Sequence, residues 1–172
     1  MKRRMTGTLV AAMLAATLVP LAATTASAVT VGNGEACTPG FWKNHTNDWQ
    51  EYSTNTLVRN QFTALNDPAY SSLTNLTFLQ ALQGGGGDNL IGAARILLRA
   101  AVTAFLNAAH DELSYPLRRD ATGFNGEDPI RSSVNDALAS KDRDTILALA
   151  SQLDAANNNG VCPLGGDNTN SG

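Results

Sequence analysis

The chain has 172 residues, of which 43% are hydrophobic and 16% charged, and its formal net charge is −3. This length suits one domain with a proper core. The acidic balance argues against nucleic acid and anionic membranes as partners, because both need a concentrated basic surface.

The N-terminus reads as an export signal. Lys2, Arg3 and Arg4 form a positive start, Thr8 to Val19 is apolar, Pro20 interrupts, and Ala26-Ser27-Ala28 supplies a small-residue cleavage site. The apolar part is short for crossing about 30 Å of hydrocarbon, which favours a cleaved signal over an anchor. Arg3-Arg4 evokes twin-arginine export, but Met5-Thr6-Gly7 lacks the apolar pair that should follow, so the general secretory route is expected. The predicted organisation is therefore a signal peptide over 1–28, a domain over 29–164 and a disordered tail over 165–172. Losing the three signal cations lowers the formal charge from −3 to −6. The mature chain is expected to be secreted, with no membrane insertion after cleavage.

Val29 to Tyr70 is rich in Asn and Thr and carries both tryptophans, which predicts turns and short helical pieces. Leu73 to Gln83 reads as a short helix stopped by Gly84 to Gly87. The strongest signal spans Asp88 to Ala109. Asp88 serves as the expected N-cap, and Leu90, Ile91, Ala94, Leu97, Leu98, Ala101, Val102, Phe105 and Leu106 form a stripe at 3.6-residue spacing. Tyr115 to Asp128 reads as a loop, and Asp128-Pro129 as the start of a helix through Val134 and Leu138. Ser140 is the expected cap of a last helix carrying Ile146, Leu147, Ala150 and Leu153, with Gly160 at its stop. An even cysteine count behind an export signal reads as a disulfide, here Cys37 to Cys162. The predicted fold is all-α: a single compact domain of four or five helices, closed by one disulfide between its N- and C-terminal segments.

Specific chemistry is sparse. His45 and His110 are the only histidines, and neither has metal-ligand spacing, so no metal and no cofactor is expected. His45 with Asp48, Glu51 or Asp111 is the one arrangement open to acid–base work. Trp42, Trp49 and Tyr52, interleaved with Asn44, His45, Asn47 and Asp48, are candidates for stacking and hydrogen bonding to sugar rings. Burial in the core is the competing role, strongest for Trp42. The Asp120 to Asp128 segment lacks the EF-hand ligand pattern. The four-glycine run lacks the Gly-Lys-Ser/Thr ending of a phosphate loop, and no Gly-x-Ser-x-Gly elbow occurs.

Several segments together carry a resemblance. They are Cys37-Thr-Pro-Gly-Phe-Trp-Lys-Asn-His45 with Trp49, Leu97 to Val102, Asn107-Ala-Ala-His110, Tyr115-Pro116, Leu153-Asp154, and Asn157 to Leu164. In these the chain resembles a secreted bacterial module found alone or within larger extracellular and surface proteins. The resemblance covers nearly all of the mature chain and implies location and independent folding; it carries no catalytic residues. The expected function is a non-enzymatic extracellular module that binds a glycan or a protein at the cell surface or matrix. The alternative is a small secreted hydrolase built on His45.

Overall fold

The structure, a computed structural model, describes residues 34–117 and 129–165. Residues 1–33, which include the expected signal peptide, the Arg118-Arg119 pair, the segment from Asp120 to Asp128 and residues 166–172 lie outside the described residues. Within them the protein is helical: α1 (Pro39–Asn44), α2 (Phe78–Gln83), α3 (Leu90–Ala109), α4 (Pro129–Ser140) and α5 (Arg143–Asn158), with four short 3-10 turns between α1 and α2. The disulfide Cys37–Cys162 joins the two ends of the domain.

Helix α3 is the axis of the molecule. Every residue from Ala100 to Ala109 is buried, so its C-terminal half is enclosed on all sides and not only along the apolar stripe. Burying Leu97, Leu98, Phe105 and Leu106 contributes about 1.5–3 kcal/mol per side chain before entropy. Its length and apolar character would also suit a membrane span, but most of its surface is covered by the rest of the domain. Helix α5 makes the most extensive contact with it, and α2 and α4 pack on other sides.

Local signals place most of the elements, with shifts at the caps. The N-cap of α3 is Asn89, whose Oδ1 accepts from the Gly92 amide at 2.8 Å; the expected Asp88 lies one residue too early. Gly92 is required there, because a Cβ would run into the backbone of Gly87. The expected helix from Leu73 is two elements. A 3-10 turn, Pro68–Leu73, ends at Leu73, and α2 starts only after Thr77, which forms a reciprocal capping box with Gln80. Between them Leu57 and Thr77 form an isolated antiparallel bridge.

Helix α4 starts at Pro129 and docks on the 3-10 segments. Asn135 Oδ1 accepts from the Ala64 amide at 2.9 Å, and the Arg131 guanidinium reaches Gln61 and lies over the Phe105 ring. The cap of α5 is Asp142 instead of Ser140. Asp142 accepts from both the amide and the hydroxyl of Thr145, while the Ser140 hydroxyl donates to the carbonyl of Ala137 in the preceding helix. The Thr145 hydrogen bonds hold the Asp142 carboxyl below its ordinary value, so this cap strengthens above the usual carboxylate pKa and weakens as pH falls.

The two ends of the chain run together across one pole of the bundle. The Ala36 amide donates to the Val161 carbonyl at 3.3 Å, and Ser114 donates to the Glu35 carboxylate at 2.9 Å. Gly160, at φ 137, lies against the Gly34 carbonyl so closely that no Cβ fits. The glycine after α5 is thus where the chain turns tightly against the N-terminal segment and on to Cys162.

Candidate functional site

Beneath the disulfide lies a buried polar clasp. Asn107, fully buried near the end of α3, uses all four of its hydrogen-bonding positions. Its Oδ1 accepts from the Cys37 amide at 2.8 Å and from the Trp42 indole N–H at 3.0 Å. Its Nδ2 donates to the Cys37 carbonyl at 3.0 Å and to Asn157 Oδ1 at 3.2 Å. Asn157, also fully buried, accepts a further hydrogen bond from the Tyr115 phenol at 2.8 Å and donates to the Ala100 carbonyl at 2.9 Å. One connected network therefore ties the N-terminal segment to α3, to the turn after it and to α5. A satisfied network of this kind specifies one arrangement, because any alternative packing strands buried polar atoms.

Tyr115 gives the clasp a pH limit. Burial pushes its phenol well above the ordinary tyrosine value, so the folded state favours the neutral form. The associated stability is complete below the unfolded pKa of about 10 and is lost as pH rises beyond it. Alkaline unfolding followed by circular dichroism should therefore begin above about pH 10, and Tyr115→Phe should move its midpoint to higher pH while weakening the protein at neutral pH.

The same pole carries an open cleft of about 440 Å³. Asn47, Asp48, Trp49 and Gln50 form one wall, from the 3-10 turn Thr46–Asp48 onward. His110 and Glu112, just beyond α3, form the second, and Pro163 and Leu164, just beyond the disulfide, the third. The clasp positions each wall. Trp49 donates its indole N–H to the carbonyl of buried Trp42 at 2.9 Å, His110 follows Asn107 by one helical turn and lies 5.8 Å from the Trp42 ring, and Pro163 adjoins Cys162. The Gln50 carbonyl oxygen of the side chain accepts from the Asp111 amide at 2.9 Å, which bridges the first two walls.

Part of what faces the cleft is polar and has no partner among the described residues. Asn47, Asp48 and Glu112 are exposed, and their side chains make no hydrogen bond or ion pair among the described residues; the same holds for the Gln50 Nε2 amide. Trp49 is half-buried, with its N–H occupied and part of its ring open to the cleft. His110 is 5% exposed, and its Nδ1 accepts from the Glu112 amide at 3.3 Å. The arrangement offers an aromatic surface, two amides and two carboxylates around one concavity, which is within the size range of small-ligand sites.

The structure divides the sequence candidates. Asp48 and Trp49 line the cleft together. Trp42 does not, because it is fully buried and presents no face to a ligand; its role is in the core and the clasp. Tyr52 is half-buried, and its ring packs on Phe78 and Phe105. Asn44 is exposed on α1 and donates to the Gly40 carbonyl. His45 is exposed, stacks on Phe41 with ring centroids 4.1 Å apart, and donates from Nδ1 to the Phe41 carbonyl at 2.9 Å. No carboxylate among the described residues lies within ion-pair distance of His45, and none of their His, Cys, Asp and Glu side chains form a group of three suited to a metal.

Sequence reasoning missed Gln50, Glu112, Pro163 and Leu164 as cleft residues, and Asn107 and Asn157 as core. Only Asn107 had a local signal: it sits among apolar residues at the end of the α3 pattern, where a solvated side chain would be out of place. Comparison with family models, curated proteins and solved structures finds no match to this chain.

Proposed function

We propose that the chain is a secreted, non-enzymatic extracellular module that binds a glycan unit in the cleft between Asn47–Gln50, His110–Glu112 and Pro163–Leu164. The observation that carries this reading is the open cleft itself, in which a half-buried indole stands beside the Asn47 amide and the Asp48 and Glu112 carboxylates, none of which bonds to another described residue. Sugar rings need this combination: an aromatic face for their C–H surfaces and planar polar groups for their hydroxyls. Export is supported by the signal-like N-terminus and by the disulfide, which persists in oxidising surroundings. The resemblance to a secreted bacterial module points the same way. The hydrolase alternative rests on His45 meeting a carboxylate, and the described residues supply no such pair.

The test is a glycan-array measurement on the exported, oxidised protein. Wild type should retain one or more glycans, and Asn47→Ala with Asp48→Ala should weaken retention about tenfold, as expected for losing two polar contacts. His45→Ala should leave it unchanged. An absence of glycan binding, or binding indifferent to the two cleft substitutions, would contradict the reading.

A further inference from the structure

The charge of the cleft narrows its ligand. From the lining residues we infer that the cleft selects a protonated amino sugar over neutral or acidic sugars; this rests on the glycan-binding reading above. Asp48 and Glu112 bring two carboxylates to two walls of one concavity, and among the described residues no Lys or Arg lines it. Neither carboxylate has an ion-pair or hydrogen-bond partner among the described residues, so the protein leaves both charges for a bound group to neutralise. A cation is also attracted to the face of an aromatic ring, and Trp49 provides one in the same cleft, its N–H already committed to Trp42. Asn47 and the Gln50 Nε2 amide remain for hydroxyl groups, so the site is equipped for a hydroxylated amine and not for a bare cation.

The competing ligand classes fit less well. A uronic acid or sulfated sugar would place like charge beside Asp48 and Glu112. A neutral sugar would use the indole and the amides and leave both carboxylates unpaired. An exposed carboxylate–ammonium pair is worth a few-fold in affinity, so two give about a tenfold preference at low salt. Because both carboxylates are exposed, added salt should erode that preference.

The experiment is titration calorimetry of the exported, oxidised protein at low salt and mildly acidic pH. The probes are a glucosamine tetramer, its fully N-acetylated counterpart, a galacturonate tetramer and a trilysine peptide. The expected result is about tenfold tighter binding of the glucosamine tetramer than of the acetylated one, with the galacturonate and the peptide weaker still. In the Asp48→Asn, Glu112→Gln double variant the two glucosamine-based ligands should bind alike. Equal binding of these two by wild type would overturn the charge selection and leave the glycan reading standing. So would a preference that survives in the double variant. Trilysine binding as tightly as the amino sugar would overturn the assignment to a sugar, and no binding of any saccharide would overturn both readings.

Discussion

Asn107→Ala should lower stability by about 4 kcal/mol, the largest effect of any single side-chain truncation outside the disulfide. The substitution removes four hydrogen bonds at once and strands the Cys37 amide and carbonyl and the Trp42 indole N–H inside the protein. Each stranded buried group costs roughly 1–3 kcal/mol, and partial access of water brings the sum back toward the stated value. For a domain of this size the melting temperature should fall by roughly 10–15 °C. Asn107→Asp separates hydrogen-bond direction from side-chain size. It keeps the acceptors for Cys37 and Trp42 but turns an oxygen toward the Cys37 carbonyl and Asn157 Oδ1. It should be severely destabilised at neutral pH and partly recover on acidification, because protonating the carboxyl restores one donor. Thermal melts of the two variants across pH check both statements. Equal, small losses would show that the clasp contributes little.

The second large effect belongs to the disulfide. Cys37 and Cys162 are 125 residues apart, and a bridge closing so long a loop is worth about 4–5 kcal/mol through restriction of the unfolded chain. The paired Cys37→Ala, Cys162→Ala variant should show a loss of that order in denaturant unfolding. It should also weaken ligand binding, since Pro163 and Leu164 reach the cleft directly after Cys162. An unfolding midpoint unchanged from wild type would mean that the asparagine network alone holds the two ends.

These two effects show where the sequence was legible. The helical class, the central position of α3 and the pairing of the cysteines follow from periodicity and cysteine count, signals carried within one segment or by two rare residues. The caps moved by one or two residues because Asp88 and Asn89, or Ser140 and Asp142, are both competent cap types, and backbone geometry chooses between them. Asn107 and Asn157 were not read as core, because an asparagine counts as polar until its partners are known. Those partners lie between 42 and 70 residues away.

The cleft was half legible for a related reason. Asp48 and Trp49 stand out in a polar, aromatic-bearing stretch, and they do line it. Glu112, Pro163 and Leu164 reach it only through the fold. Trp42 and Trp49 look alike in sequence, yet one is sealed beneath the other. The Trp42 indole faces inward to Asn107, and its carbonyl takes the N–H of Trp49.

The protein has only two tryptophans, so indole hydrogen exchange reads the clasp with two signals. In a nitrogen-15 spectrum of the oxidised protein, the Trp42 indole proton should exchange only through global unfolding, held by Asn107 in a fully buried site. The Trp49 indole proton, in a half-buried ring at the cleft, should exchange faster. Asn107→Ala should release the protection of Trp42. Rapid exchange of Trp42 in the wild type, or protection that survives in Asn107→Ala, would contradict a clasp that locks the two ends of the chain and holds the walls of the cleft.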